Sequence, residues 1–193
     1  LQELLSGTDL HFCVYNGNLP ETAEEKIQKE IIEEIKRYPN ICPTRNALRG
    51  KEEKVFSNGR DTGRTFPWKQ ADIILTNPSM LEYMLLRWAD QEMIGNSNLK
   101  WMVIDETHTY TGAGATELAM LIRRVLLACG TTSENVRFAT SSATIGNAQD
   151  VNTAASNSRK LKQFIMGITG QTEEQITIVN GTKKTLADDE VLR

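Results

Sequence analysis

"LKWMVIDETHTYTG", Leu99 to Gly112, decides how the rest of this chain is read. An apolar run from Trp101 to Ile104 stops at Asp105, Glu106 and His108, three ionisable side chains within four positions. A short continuous apolar run fits a buried strand. Acidic residues at its carboxyl end are either the polar half of a surface turn or the start of a chemical site.

Working outward, the neighbouring segments repeat the theme. "ADIILTNPSMLEYMLLRW", Ala71 to Trp88, reads as a strand over Ile73 to Leu75, a Thr-Asn-Pro turn, and a helix opening near Pro78, where a first-turn proline is tolerated. After the acidic cluster, Gly114 to Cys129 sets Ala115, Leu118, Ala119, Ile122, Val125 and Leu126 on one helical face, with Arg123 and Arg124 off it. "VRFATSSATIG", Val136 to Gly146, is a further strand ending in small hydroxyl residues, followed by a helix over Arg159 to Gly167 and a strand-like "ITIVNG". Upstream, Leu10 to Gly17 gives a short strand and loop, and Glu21 to Arg37 an amphipathic helix with Ile27, Ile31 and Ile35 at four-residue steps between Pro20 and Pro39.

Strands alternating with helices predict an α/β fold with a mainly parallel sheet flanked by helices. Sites in such folds gather where strands reach their carboxyl ends. One rim would then bring together Thr76, Asp105, Glu106, His108, Ser142 and Thr144.

Between these elements, residues from about 40 to 70 carry Arg45, Arg49, Lys51, Lys54, Arg60, Arg64 and Lys69 against Glu52, Glu53 and Asp61. This reads as a basic, loop-rich insertion, and both a solvated loop and a nucleic-acid-facing patch fit it. Trp68, Trp88 and Trp101 read as packing residues, since no interleaved aromatic and basic run accompanies them.

The whole chain has 193 residues, 39% hydrophobic and 24% charged, with a net charge of -3. That is the composition of an ordinary globular domain with no apolar run long enough to span a membrane. Nucleic-acid binding must come from a local patch, because the overall charge supplies none. Cys13, Cys42 and Cys129 have neither CxxC spacing nor even number, which argues against a disulfide framework or zinc site and fits a reducing cytoplasm. His11 and His108 are the only histidines, so no two-histidine metal triad can be assembled.

A hydrated magnesium ion prefers one or two carboxylates plus phosphate oxygens, and an adjacent carboxylate can orient an attacking water. Asp105 and Glu106 have those shapes. "VIDETH" resembles the Walker B motif of the DExH branch of the second helicase superfamily, and "SAT" at Ser142, Ala143 and Thr144 resembles the motif that follows it. "ILTNPSMLEYMLLR" is similar to the nucleic-acid-contacting segment upstream. "THTYTGAGATELAMLIRRV" is similar to the stretch after Walker B in large bacterial DEAD/DEAH-box DNA helicases of the mitomycin-repair type. The resemblance covers about Gly7 to about Gly181 and is weakest across the basic insertion.

The resemblance implies a RecA-like (P-loop NTPase) fold using ATP and Mg²⁺. Asp105 would lie on the water shell of Mg²⁺, and Glu106 would polarise the hydrolytic water. His108, Ser142, Ala143 and Thr144 would couple the nucleotide site to strand movement, and Thr76, Asn77, Pro78 and Gly17 would contact a nucleic-acid backbone, DNA by family. Most relatives have Ala at the position of Thr107, which the DExH pattern leaves open.

No G-x-x-x-x-G-K-[ST] phosphate loop occurs in the sequence, and the chain opens on Leu1. The expectation is an N-terminally truncated first motor domain, residues 1–181, with residues 182–193 starting a linker toward a second motor domain in cis. Taken alone, it is expected to hydrolyse essentially no ATP. The alternatives are a non-catalytic nucleic-acid-binding module with a degenerate motor fold and, more remotely, an unrelated metal-dependent hydrolase. Sequence leaves the oligomeric state open.

Overall fold

A computed structural model describes residues 1–23, 25–57, 60–142 and 151–179. The chain divides into two compact units, Leu1–Ile94 and Gly95–Arg193.

The first unit runs α1 (Gln2–Leu5), β1 (Phe12–Val14), α2 (Glu25–Arg37), α3 (Arg45–Leu48), β2 (Glu53–Ser57), β3 (Arg60–Phe66), β4 (Ile73–Leu75), α4 (Pro78–Leu86) and α5 (Trp88–Gly95). β1 and β4 pair in parallel with Phe12 opposite Ile73 and Val14 opposite Leu75. Parallel partners need a long connection, and here it carries α2, α3 and the antiparallel β2–β3 hairpin. The core is built from Cys13, Tyr15, Cys42, Ala47, Leu48, Met84 and Met93. α4 starts as expected: Pro78 occupies its first turn and the Asn77 side chain accepts from Met80 N, closing an orphan donor of the helix end.

The second unit runs β5 (Trp101–Ile104), α6 (Ala113–Ala128), β6 (Arg137–Thr140) and α7 (Val151–Thr169), with short 3-10 turns between. β5 and β6 pair in parallel, Trp101 opposite Arg137 and Ile104 opposite Thr140. Their covered side packs through Ile104, Leu118, Ala119, Ile122, Leu126, Val136 and Ile168. The apolar face read for α6 is buried except for half-buried Ala115, and Leu121 joins it; Arg123 and Arg124 lie on the exposed side. Arg123 also donates to the Ala119 and Gly167 carbonyls, fastening α6 to α7.

Parallel strand pairs flanked by helices give the α/β class its expected form. Several local expectations change. The basic segment is not merely loop: Thr44 caps α3 by accepting from Ala47 N, and β2 and β3 form a hairpin. Asn58 and Gly59, between the two strands in sequence, lie outside the described residues, as do Ala143, Thr144, Gly146 and residues 182–193.

Ile176 to Val179 adopts no strand, since no ladder partner meets it among the described residues. The apolar run of β5 is covered on one side only, with Trp101 and Val103 exposed, and in β4 both Ile74 and Leu75 are exposed. Each belongs to a two-stranded pair. Trp88 is exposed rather than packed, while Trp68 does pack, stacking on Phe66 and donating Nε1–H to Glu53. Ile31 of α2 is buried and Ile35 half-buried; the Ile27 side chain lies outside the described residues. No helix is long and apolar enough to cross a membrane among the described residues.

Candidate functional site

The acidic corner in the second unit is built by the ends of β5 and β6. Beyond the ladder, Ser141 N donates to the Ile104 carbonyl at 3.0 Å, which extends the pairing and sets Ser141 beside Asp105. The Ser141 hydroxyl donates to Asp105 Oδ1 and receives the Glu106 amide at 3.2 Å, and that same amide reaches Asp105 Oδ1 at 3.0 Å. Thr107, fully buried, then donates both its amide (2.9 Å) and its hydroxyl (2.7 Å) to the Ser141 carbonyl. The turn therefore has no freedom to wander, although Asp105 and Glu106 themselves face solvent.

This closure places Glu106 in the left-handed region, at φ 50 and ψ 42, the single non-glycine residue with positive φ among the described residues. A glutamate there is strained, and such strain concentrates at functional sites. Its carboxylate turns to His108, with Nδ1 3.1 Å from Oε2. The Ser141 hydroxyl and, after it, the Glu106 amide hold the Asp105 carboxyl below its ordinary range, so it is anionic wherever the protein is folded near neutrality.

Both bonds to Asp105 fall on Oδ1, and Oδ2 takes no hydrogen bond among the described residues. No group of three or more His, Cys, Asp or Glu able to enclose a metal occurs among the described residues. The donor set suits an ion that keeps its water and takes further oxygens from a substrate phosphate.

The second group of sequence-derived residues lies in the first unit. Thr76 follows β4 and its hydroxyl donates to the Tyr15 carbonyl at 3.0 Å, while Tyr15 N donates to Leu75 O at 2.8 Å. Asn77 is committed as the cap of α4. Thr76, Asn77 and Ser79 are exposed, a polar edge at the opening of a helix. Gly17 lies in the loop after β1; its φ is ordinary and a side chain there would touch nothing, so the fold itself does not demand glycine.

Thus Asp105, Glu106 and His108 are brought together, with Ser142 half-buried next to the corner, and Thr76–Pro78 form one turn in the other unit. Sequence reasoning missed Ser141. The doubled serine in "TSSAT" was the visible signal, but which of the two faces Asp105 depends on the register of β6.

A family model described as DEAD/DEAH box helicase matches residues 24–151, well over half of the chain. The chain is similar to the Druantia protein DruE of Escherichia coli strain UMEA 4076-1, 28% identical over 63% of this chain and 7% of that protein. It is also similar to the ATP-dependent helicase YprA of Bacillus subtilis, 36% identical over 53% of this chain and 14% of YprA. With the ATP-dependent helicase MJ1574 of Methanocaldococcus jannaschii it shares 29% identity over 59% of this chain and 20% of the relative. The matched part is thus a fifth or less of each of these relatives. No solved structure matches the chain.

Proposed function

The chain belongs to the DEAD/DEAH box helicase family, with the RecA-like α/β fold that membership implies, and from that premise we propose that it is part of the first motor domain of an ATP-dependent DNA helicase. The observation that carries the reading is the Asp105–Glu106–Ser141 corner. A strand end holds one carboxylate anionic, and a strained residue beside it presents a second.

In this reading Asp105 is the residue that would hold a hydrated Mg²⁺. The ion's chemistry is to neutralise charge on the β- and γ-phosphate oxygens of ATP. Glu106 orients the water that attacks the γ-phosphate, and His108, 3.1 Å away, fixes the direction of that carboxylate. Ser142, Ala143 and Thr144 couple the nucleotide site to movement of the strand-binding surface. Thr76, Asn77, Pro78 and Gly17 hold the sugar-phosphate backbone, and a second motor domain in cis completes the nucleotide site. We place the protein in the cytoplasm, consistent with three unpaired cysteines.

The test is Glu106→Gln in the natural protein that carries this chain. ATP hydrolysis should fall by about 100-fold or more, as for loss of a positioned catalytic base, while ATP binding persists. Unchanged hydrolysis removes Glu106 from this role. Salt-dependent strand binding that ATP leaves untouched, with no hydrolysis by the wild type, would instead support the non-catalytic module.

A further inference from the structure

The first unit contains a cluster of arginines that the proposed function does not use. Arg49 is almost wholly buried, its side chain 2% exposed, and its Nε donates at 2.6 Å to Asp90, which is fully buried in α5. Arg49 and Arg87 both donate to the Glu21 carboxylate, and Arg45 approaches it to 3.8 Å. Arg45 also lies over the Tyr15 ring at 5.4 Å, and the Tyr15 hydroxyl donates to Asp90 at 3.3 Å.

Two features of this cluster do not balance. Arg45, Arg49 and Arg87 set three positive charges against the two carboxylates of Glu21 and Asp90, leaving one positive charge in excess. In addition, Arg45 Nε and Arg49 Nη2 are buried donors with no hydrogen-bond partner among the described residues, while Arg87 also shares a hydrogen bond with the Tyr15 hydroxyl. Buried donors are ordinarily paired, and a guanidinium donates best in pairs to one anion with two free oxygens. The three guanidiniums offer more donors than the two carboxylates accept.

Its position says where such a group would come from. Thr76 donates to the Tyr15 carbonyl, and the Pro20 and Glu21 carbonyls accept from the Arg45 and Asn46 amides. The loop from Gly17 to Glu21 and the turn at Thr76 therefore meet around Tyr15, whose ring lies beneath Arg45. The Glu21 backbone is pinned, but its side chain is 41% exposed and lies on the solvent side of Arg49.

We propose that Arg45, Arg49 and Arg87 form a binding site for one phosphodiester group of the nucleic-acid strand, with the Glu21 carboxylate as the internal anion it displaces. The proposal rests on the strand-contact reading of Thr76 to Pro78. A phosphodiester carries one negative charge, as the Glu21 carboxylate does, so the exchange leaves the charge of the cluster as it was, and its two non-bridging oxygens accept from several N–H groups at once. When the strand arrives, the Glu21 side chain turns outward and the phosphate takes the guanidinium faces it leaves.

The experiment is binding of a fluorescent single-stranded oligonucleotide to the natural protein, without nucleotide, across a salt series. Glu21→Gln should bind several-fold tighter than wild type, the reverse of what loss of a merely structural ion pair would give. Arg45→Gln, which spares the buried Arg49–Asp90 pair, should bind more weakly and lower the slope of log affinity against log salt by about 0.7, the value for one single-strand phosphate. Wild-type binding that weakens with salt but is indifferent to both substitutions overturns this site and leaves the helicase reading standing. No strand binding by the wild type overturns both. Melting temperatures in inorganic phosphate and in chloride at equal ionic strength separate the sources: stabilisation by phosphate in the absence of strand binding overturns the strand as the ligand and assigns the site to a free anion.

Discussion

Each unit carries one parallel strand pair whose carboxyl end opens into a polar turn, but the turns are secured differently. After β4, Thr76 is tied to the carbonyl of Tyr15, and Tyr15 is tied in turn to an ion pair that solvent does not reach. After β5, Asp105 and Glu106 are tied by the Ser141 hydroxyl and their own backbone, with both carboxylates exposed. Buried charges give the first turn rigidity at the expense of stability if either partner is lost, whereas exposed charges in the second remain free to meet a ligand. The contrast matches the two proposed tasks, holding a strand and handling a nucleotide.

The comparison breaks most easily at its two aspartates. Asp90→Ala leaves Arg49 buried without its partner and should destabilise the first unit by about 3–5 kcal/mol. Asp105→Ala should leave the unfolding midpoint of the second unit nearly unchanged while removing ATP hydrolysis. Urea unfolding with hydrogen exchange read separately on β1 and β5 measures both, and equal losses would end the distinction.

Acid sharpens it further. Burial alone would raise the Glu21 carboxyl, but hydrogen bonds from Arg49 and Arg87 overrule it and hold it down to about 2 from an ordinary 4.5. A group depressed in the folded state contributes stability above its unfolded value and loses it as pH falls through the folded one. The first unit should therefore weaken from about pH 4.5 toward pH 2. Glu21→Gln should flatten the melting temperature across that window, and an unaltered slope would show that the three arginines do not hold this carboxylate.

The smallest effect is chemical. Burial, and then the neighbouring Cys42, pushes the Cys13 thiol up to about 12; burial, and then Asp72, pushes Cys42 up to about 11. Both are buried in the first unit, whereas Cys129 at the end of α6 is partly accessible. Under native conditions a thiol reagent should label Cys129 first, and mass spectrometry of the labelled peptides would detect early modification of Cys13 or Cys42 as a sign that the first core opens readily.

What could be read in advance was local. Pro78 with Asn77 marked the start of α4, and the spacing from Leu118 to Leu126 marked the buried face of α6, because caps and helical period are written within a few residues. Asp105 and Glu106 were legible for the same reason, as an apolar run that stops abruptly. The hairpin escaped because the charges of Lys54, Arg60 and Arg64 overshadowed the Asn58-Gly59 signal between two stretches of β-forming residues. The Arg49–Asp90 pair spans 41 positions and has no local trace. Nor could sequence choose Ser141 over Ser142, since one residue of register exchanges their directions.

The left-handed backbone at Glu106 has a consequence for anyone who evolves or engineers this protein. The substitutions that relax that conformation most readily, to glycine or asparagine, are those that delete the carboxylate. If Glu106 has the role proposed for it, a screen that rewards thermal resistance alone would enrich inactive molecules at this position, and a library spanning the corner needs selection for turnover from its first round.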